Sequence, residues 1–87
     1  MSKQKKFFIL ESYEQFNQLL KMSEELKCNL FLDFFASWCG PCKKIGPVFE
    51  EQWSLNKNDI FIKINVDQFN EIAKKFEVSS LPTFIAL

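Results

Sequence analysis

Apolar and polar positions along the chain switch between two periods. The run Phe7-Phe8-Ile9-Leu10 is rich in Phe and Ile, and a first strand is read over Lys5 to Leu10. From Ser12 the period becomes helical. Phe16, Leu19, Leu20 and Leu26 share a face, which predicts a helix to about Lys27. Ser12-Tyr13-Glu14-Gln15 has the form of a capping box, with Ser12 at the N-cap and Gln15 at N3. Leu30 to Phe35 is almost continuously apolar, as suits a central strand covered on both faces. A second helix is expected from near Cys39, with Ile45, Val48, Phe49 and Trp53 on one face. Pro47 lies within it and should kink it, because proline lacks an N–H and crowds the preceding turn. Ile60 to Val66 alternates, with Ile60, Ile62, Ile64 and Val66 on one side. Phe69, Ile72, Ala73 and Phe76 predict a short helix over Gln68 to Phe76, with Asp67 as its N-cap. Ser79-Ser80-Leu81-Pro82 breaks that pattern, and Thr83 to Leu87 begins a fourth strand. The order β-α-β-α-β-α-β predicts an α/β fold, and 87 residues make it a single domain, 1–87.

Composition narrows the functions open to such a domain. Eleven Phe and 47% hydrophobic residues supply a real core. The 11 basic residues, all Lys, balance 11 acids and are scattered, so there is no basic stripe and nucleic acid is excluded as an expected partner. The chain has no His, which removes Cys-His and Ser-His catalysis and any His-ligated metal. No apolar run is long enough to span a bilayer, so no membrane partner is expected. Met1 to Lys6 is basic, but the apolar segment after it ends at Leu10, too short for a signal peptide. Three cysteines do not form a disulfide scaffold, and an intracellular, cytoplasmic compartment is expected.

Two of those cysteines carry the candidate chemistry. Cys39-Gly40-Pro41-Cys42 stands where an apolar strand gives way to a helical pattern. Such a pair can be half a zinc site, a redox couple or a coincidence. Zinc in a structural site needs four ligands, and here only Cys28 adds a third thiolate. A C-x-x-C beside a β-α pattern reads as a redox pair. Cys39 at the helix start meets unpaired N–H groups and the positive end of the dipole, which favour a thiolate, so it is the candidate nucleophile. Cys42, one turn in, is expected to be more buried and to act as the resolving thiol. Pro41 suits a first helical turn and stiffens it. Trp38 beside the nucleophile is read as a shield that also contacts substrate. Asp33, set among Leu30, Phe31, Leu32, Phe34 and Phe35, is the local anomaly, because burial raises a carboxyl pKa and suits it to proton transfer. Cys28 is read as a small buried hydrophobe.

These residues together resemble the thioredoxin family. Trp38-Cys39-Gly40-Pro41-Cys42 is similar to its active-site motif. Asp33 stands six residues before the first cysteine, and Pro47 five after the second, as in that family. Lys63-Ile64-Asn65-Val66-Asp67 resembles its third strand, and Leu81-Pro82-Thr83-Phe84 its cis-proline segment. The resemblance implies the thioredoxin fold, a central mixed sheet flanked by helices. It implies a protein-disulfide reductase that binds no cofactor, works through a Cys39–Cys42 disulfide, and is itself reduced by thioredoxin reductase drawing on NADPH. In that scheme Asp33 takes the proton of Cys42 and Lys63 is the cation beside it. Trp38, Gly40, Pro41, Leu81 and Pro82 meet the disulfide-containing protein substrate, with a cis Leu81–Pro82 bond exposing the backbone of Leu81. Phe35 departs from the family's usual tryptophan. The sequence stops at Leu87, within the fourth strand, where the family continues through another strand and a helix. That leaves Thr83 to Leu87 as an edge open to pairing with a second copy, and it keeps a docking module or a fragment of a larger protein as the competing reading.

Overall fold

Two strands with matching alternation form the centre of the molecule. The computed structural model describes residues 6–87. Lys5, the expected start of the first strand, and the rest of the basic N-terminal run before Lys6 lie outside the described residues. The elements are β1 (Phe7–Ile9), α1 (Tyr13–Leu26), β2 (Leu30–Phe35), α2 (Gly40–Leu55), β3 (Ile60–Asn65), α3 (Asn70–Lys75) and β4 (Thr83–Ala86). Strands β2 and β3 are parallel, with Leu30 opposite Ile60 and Asp33 opposite Lys63. β1 adds in parallel to β3, and β4 adds antiparallel to β2, giving the mixed order β1-β3-β2-β4. Leu87 continues the β4 pairing by exchanging backbone hydrogen bonds with Leu30.

Because side chains alternate across a strand, this register sorts the residues onto two faces. On one face Leu30, Leu32 and Phe34 join Ile60, Ile62 and Ile64, and Phe16 and Leu19 of α1 and Ile72 and Ala73 of α3 close over them. Each fully buried side chain of this size contributes roughly 1.5–3 kcal/mol. The other face carries Phe31, Asp33 and Phe35 beside Phe61, Lys63 and Asn65. Here α2 packs with Phe49, whose ring lies 5.1 Å from that of Phe61 and 6.0 Å from that of Phe7.

The helices form where the pattern places them, with differences at their caps and inner faces. Ser12 Oγ accepts the Gln15 N–H at 3.0 Å, while Gln15 Oε1 accepts the N–H of Glu11, one residue before the N-cap. α1 ends at Lys27, which takes a left-handed conformation with φ 53°. Leu26, placed by periodicity on the core face, is exposed in the last turn. In α2 the buried residues are Cys42, Gly46 and Phe49, with Trp53 half-buried, while Val48 is exposed. The inner stripe is thus rotated from the expected Ile45–Val48 line, because a cysteine and a glycine turn toward the sheet. Pro47 falls on the exposed side, and the helix runs on to Leu55. α3 starts at Asn70 and has no side-chain cap. Asp67 is not its N-cap, because its carboxylate is engaged elsewhere.

Candidate active site

The β2–α2 junction brings the two cysteines together. Cys39 is the N-cap of α2, and its Sγ accepts the backbone N–H of Cys42 at 3.1 Å. Pro41 occupies the first turn, where no N–H is required. Cys39 and Cys42 form a disulfide with their Cα atoms 5.3 Å apart. The contact and the helix end that favour a sulfur lone pair here also favour a thiolate once the bond is reduced.

The expectation that Cys42 is the more buried of the two is not met: Cys39 is 4% exposed and Cys42 6%. What separates them is direction. Cys39 lines an open groove of about 460 Å³ with Trp38, Gly40, Pro41 and Leu81, and Cys42 does not. Cys39, Cys42 and Ala36 form one buried cluster, with Phe35, Val66 and Leu81 packed against it. Val66, Ala73 and Val78 also line the groove, with Ser79 and Ser80, so among the described residues no charged side chain lines it. Leu81–Pro82 is a cis peptide, as the motif implied. Pro82 adjoins Leu81 but is not itself part of the groove lining.

Trp38 is 69% exposed, yet it is tethered. Its Nε1–H donates to Asp67 Oδ2 at 2.8 Å, and the Asp67 N–H in turn donates to Asn65 Oδ1 at 2.9 Å. Asp67 therefore fixes the indole over the groove. Sequence reasoning placed it as a helix cap, because Asp before a helical pattern fits that role and a partner 29 residues away leaves no local signal. The groove wall of Val66, Ala73 and Val78 was missed for a similar reason. Ala73 reads as core by periodicity, and only the turn after α3, with Glu77 at φ 57°, brings Val78 to Leu81 opposite Cys39.

Asp33 and Lys63 lie on the α2 side of the sheet as neighbouring ladder partners. Asp33 is 1% exposed, and its Oδ1 accepts no hydrogen bond among the described residues. Burial raises its pKa from 3.8 to about 6, and the positive charge of Lys63 pulls it partly back. Lys63 is half-buried rather than solvent-facing, with Nζ 4.8 Å from the centroid of the Phe35 ring. Phe35 thus supplies a cation–π platform at the position where the resemblance led one to expect tryptophan. Cys28 is a free thiol, half-buried against the aliphatic core. Among the described residues no cluster of metal-ligating side chains occurs, and no helix is long and apolar enough to cross a membrane.

Comparison with known proteins agrees with this arrangement. Residues 7–87 match the family model described as thioredoxin. The chain is 44% identical over 71 residues to a thioredoxin of Mycoplasmoides gallisepticum, covering 82% of this chain and 67% of that one. It is 41% identical over 70 residues to thioredoxin-1 of Caenorhabditis elegans, covering 80% of this chain and 59% of that one. The crystal structure of thioredoxin NaTrxh from Nicotiana alata superposes with a TM-score of 0.87 at 31% identity, over 100% of this chain and 76% of that one. The chain thus spans roughly three-fifths to two-thirds of the length of these curated relatives.

Proposed function

This chain belongs to the thioredoxin family, and on that premise we propose that it reduces disulfide bonds in proteins by thiol–disulfide exchange. The observation that carries the reading is Cys39 at the N-cap of α2, its sulfur already accepting a helix N–H and facing an uncharged groove. In the dithiol form the Cys39 thiolate attacks one sulfur of the substrate disulfide, and the other leaves as a thiolate that takes up a proton. Cys42 then loses its proton to Asp33, and its sulfur attacks Cys39. The Cys39–Cys42 bond closes, the second substrate thiolate departs and is protonated, and two electrons have passed to the substrate. With a pKa of about 6, Asp33 is ionised at neutral pH and able to accept that proton, and it loses this ability as the pH falls below 6. Lys63 keeps the carboxylate from rising further.

The substrate lies in the groove, with an apolar side chain against Val66, Ala73 and Val78 and its backbone alongside Leu81. Trp38 covers the reacting sulfurs. Regeneration of the dithiol falls to a thioredoxin reductase that draws on NADPH, and a reducing compartment such as the cytoplasm suits this direction of transfer. The test is reduction of insulin by dithiothreitol. Wild-type protein is expected to accelerate it, and Cys39→Ser to abolish the acceleration. Equal rates would remove the reductase reading and leave a docking role for the groove.

A further inference from the structure

The α2 face holds one position where a side chain is missing and its absence has a single neighbour. Gly46 is buried on the inner stripe of α2, one turn from Cys42 and from Phe49. A Cβ built on Gly46 would stand 3.5 Å from Lys63 Nζ and within 4 Å of no other atom outside its own helix backbone and chain neighbours. The ammonium group therefore stands directly under this point of the helix, with the Phe35 ring 4.8 Å from it.

We propose that Gly46 is a positioning residue for Lys63, its bare backbone leaving the space in which the ammonium group stands beside Asp33. The inference rests on the proposed role of Asp33 as the proton acceptor of Cys42. A methyl group at 46 would sit at ordinary van der Waals distance from Nζ and leave the ammonium where it is. A longer side chain would reach into the place of the ammonium itself. Such a side chain weakens the attraction between Lys63 and the Asp33 carboxylate, because that attraction falls with distance. The groups that face Asp33 from the packed elements are few. β3 offers Lys63, β4 offers Phe84, and the buried stripe of α2 offers Cys42, which is held in the disulfide and does not titrate in the oxidised chain, while Lys43 and Lys44 are exposed.

A second reason for glycine exists at this position. Pro47 follows it, and the proline ring crowds the Cβ of the residue before it. The two reasons differ in one respect, for only the first depends on Lys63. The experiment follows the Asp33 carboxyl carbon by NMR through a pH titration of the oxidised 87-residue chain. Gly46→Val and Gly46→Leu are each expected to raise the midpoint by about 1, and Gly46→Ala by less than about 0.2. In a Lys63→Met background the two larger substitutions should move it by less than about 0.2. An unchanged midpoint in a folded larger variant, or equal shifts in both backgrounds, overturns the proposal. Gly46→Leu keeps the test intact if the valine variant does not fold. The titration requires no turnover, so a failed insulin assay would remove the reductase reading without deciding this one.

Discussion

The two faces of the sheet are built from the same two strands by different rules. On the α1–α3 face, β2 and β3 contribute Leu30, Leu32, Phe34, Ile60, Ile62 and Ile64, every one at most 1% exposed. On the α2 face the same strands contribute Phe31, Asp33, Phe35, Phe61, Lys63 and Asn65, so a carboxyl and an ammonium are held among rings. The first face is chemically silent and stabilises the fold. The second holds a buried acid whose charged form is disfavoured, and it is the face on which the disulfide stands. The division teaches that stability and reactivity are separated by a single residue step along a strand.

Substitutions that act on one face and not the other test this separation. The largest effect is expected from Cys39→Ser, which should lower insulin reduction by about 10³-fold or more while leaving thermal unfolding of the reduced protein nearly unchanged. Ile62→Ala on the silent face should do the opposite. It is expected to cost about 3 kcal/mol in denaturant unfolding, and the pH dependence of any remaining activity should keep its shape.

Asp33→Asn should touch both properties with opposite signs. Reduction is expected to slow about 10²-fold near pH 7, with the inflection near 6 removed from the pH profile of the resolving step. Stability should rise at the same time. The folded pKa is about 6 against 3.8 for the free group, so the wild-type carboxyl favours the folded state below 3.8, and that contribution is lost as the pH rises through 6. The variant should therefore gain up to about 3 kcal/mol over wild type above pH 7 and nothing below pH 4, as read by urea unfolding at several pH values. The smallest effect belongs to Asp67→Ala. Losing an exposed hydrogen bond to the Trp38 indole should cost about 1 kcal/mol in substrate recognition, a loss of about 5-fold in kcat/KM, with no measurable change in stability.

Much of this arrangement was legible in local patterns. Ser12 announced α1, the isoleucines of β3 announced the aliphatic face, and Cys39 stood at a strand-to-helix junction, where capping follows from chain geometry alone. What escaped was set by contacts between residues far apart. The α2 stripe was placed correctly at Phe49 and Trp53 but missed Cys42 and Gly46, which carry little weight in an apolar period although the sheet selects them for the inside. Lys63 was placed beside Asp33 only through the family resemblance, since on an alternating strand it fits a solvent-facing position equally well; the register adds that it lies under Gly46. Asp67 fitted a helix cap equally well by type, and only the fold gives it an indole to hold.

Asp33 has a second consequence during synthesis and refolding. Leu30-Phe31-Leu32-Asp33-Phe34-Phe35 is the central strand, and both its partners, β3 and β4, come later in the chain. Until they arrive, this segment is an unpaired apolar stretch of the kind that nucleates cross-β aggregation. In the open chain the carboxyl titrates near its ordinary value and is ionised at pH 7, which places one negative charge in the middle of the stretch as a gatekeeper. The same atom group thus repels other copies of the chain before folding and accepts a proton after it. Asp33→Leu, which the folded interior should accommodate, is accordingly expected to scatter light on refolding at concentrations where wild type stays clear.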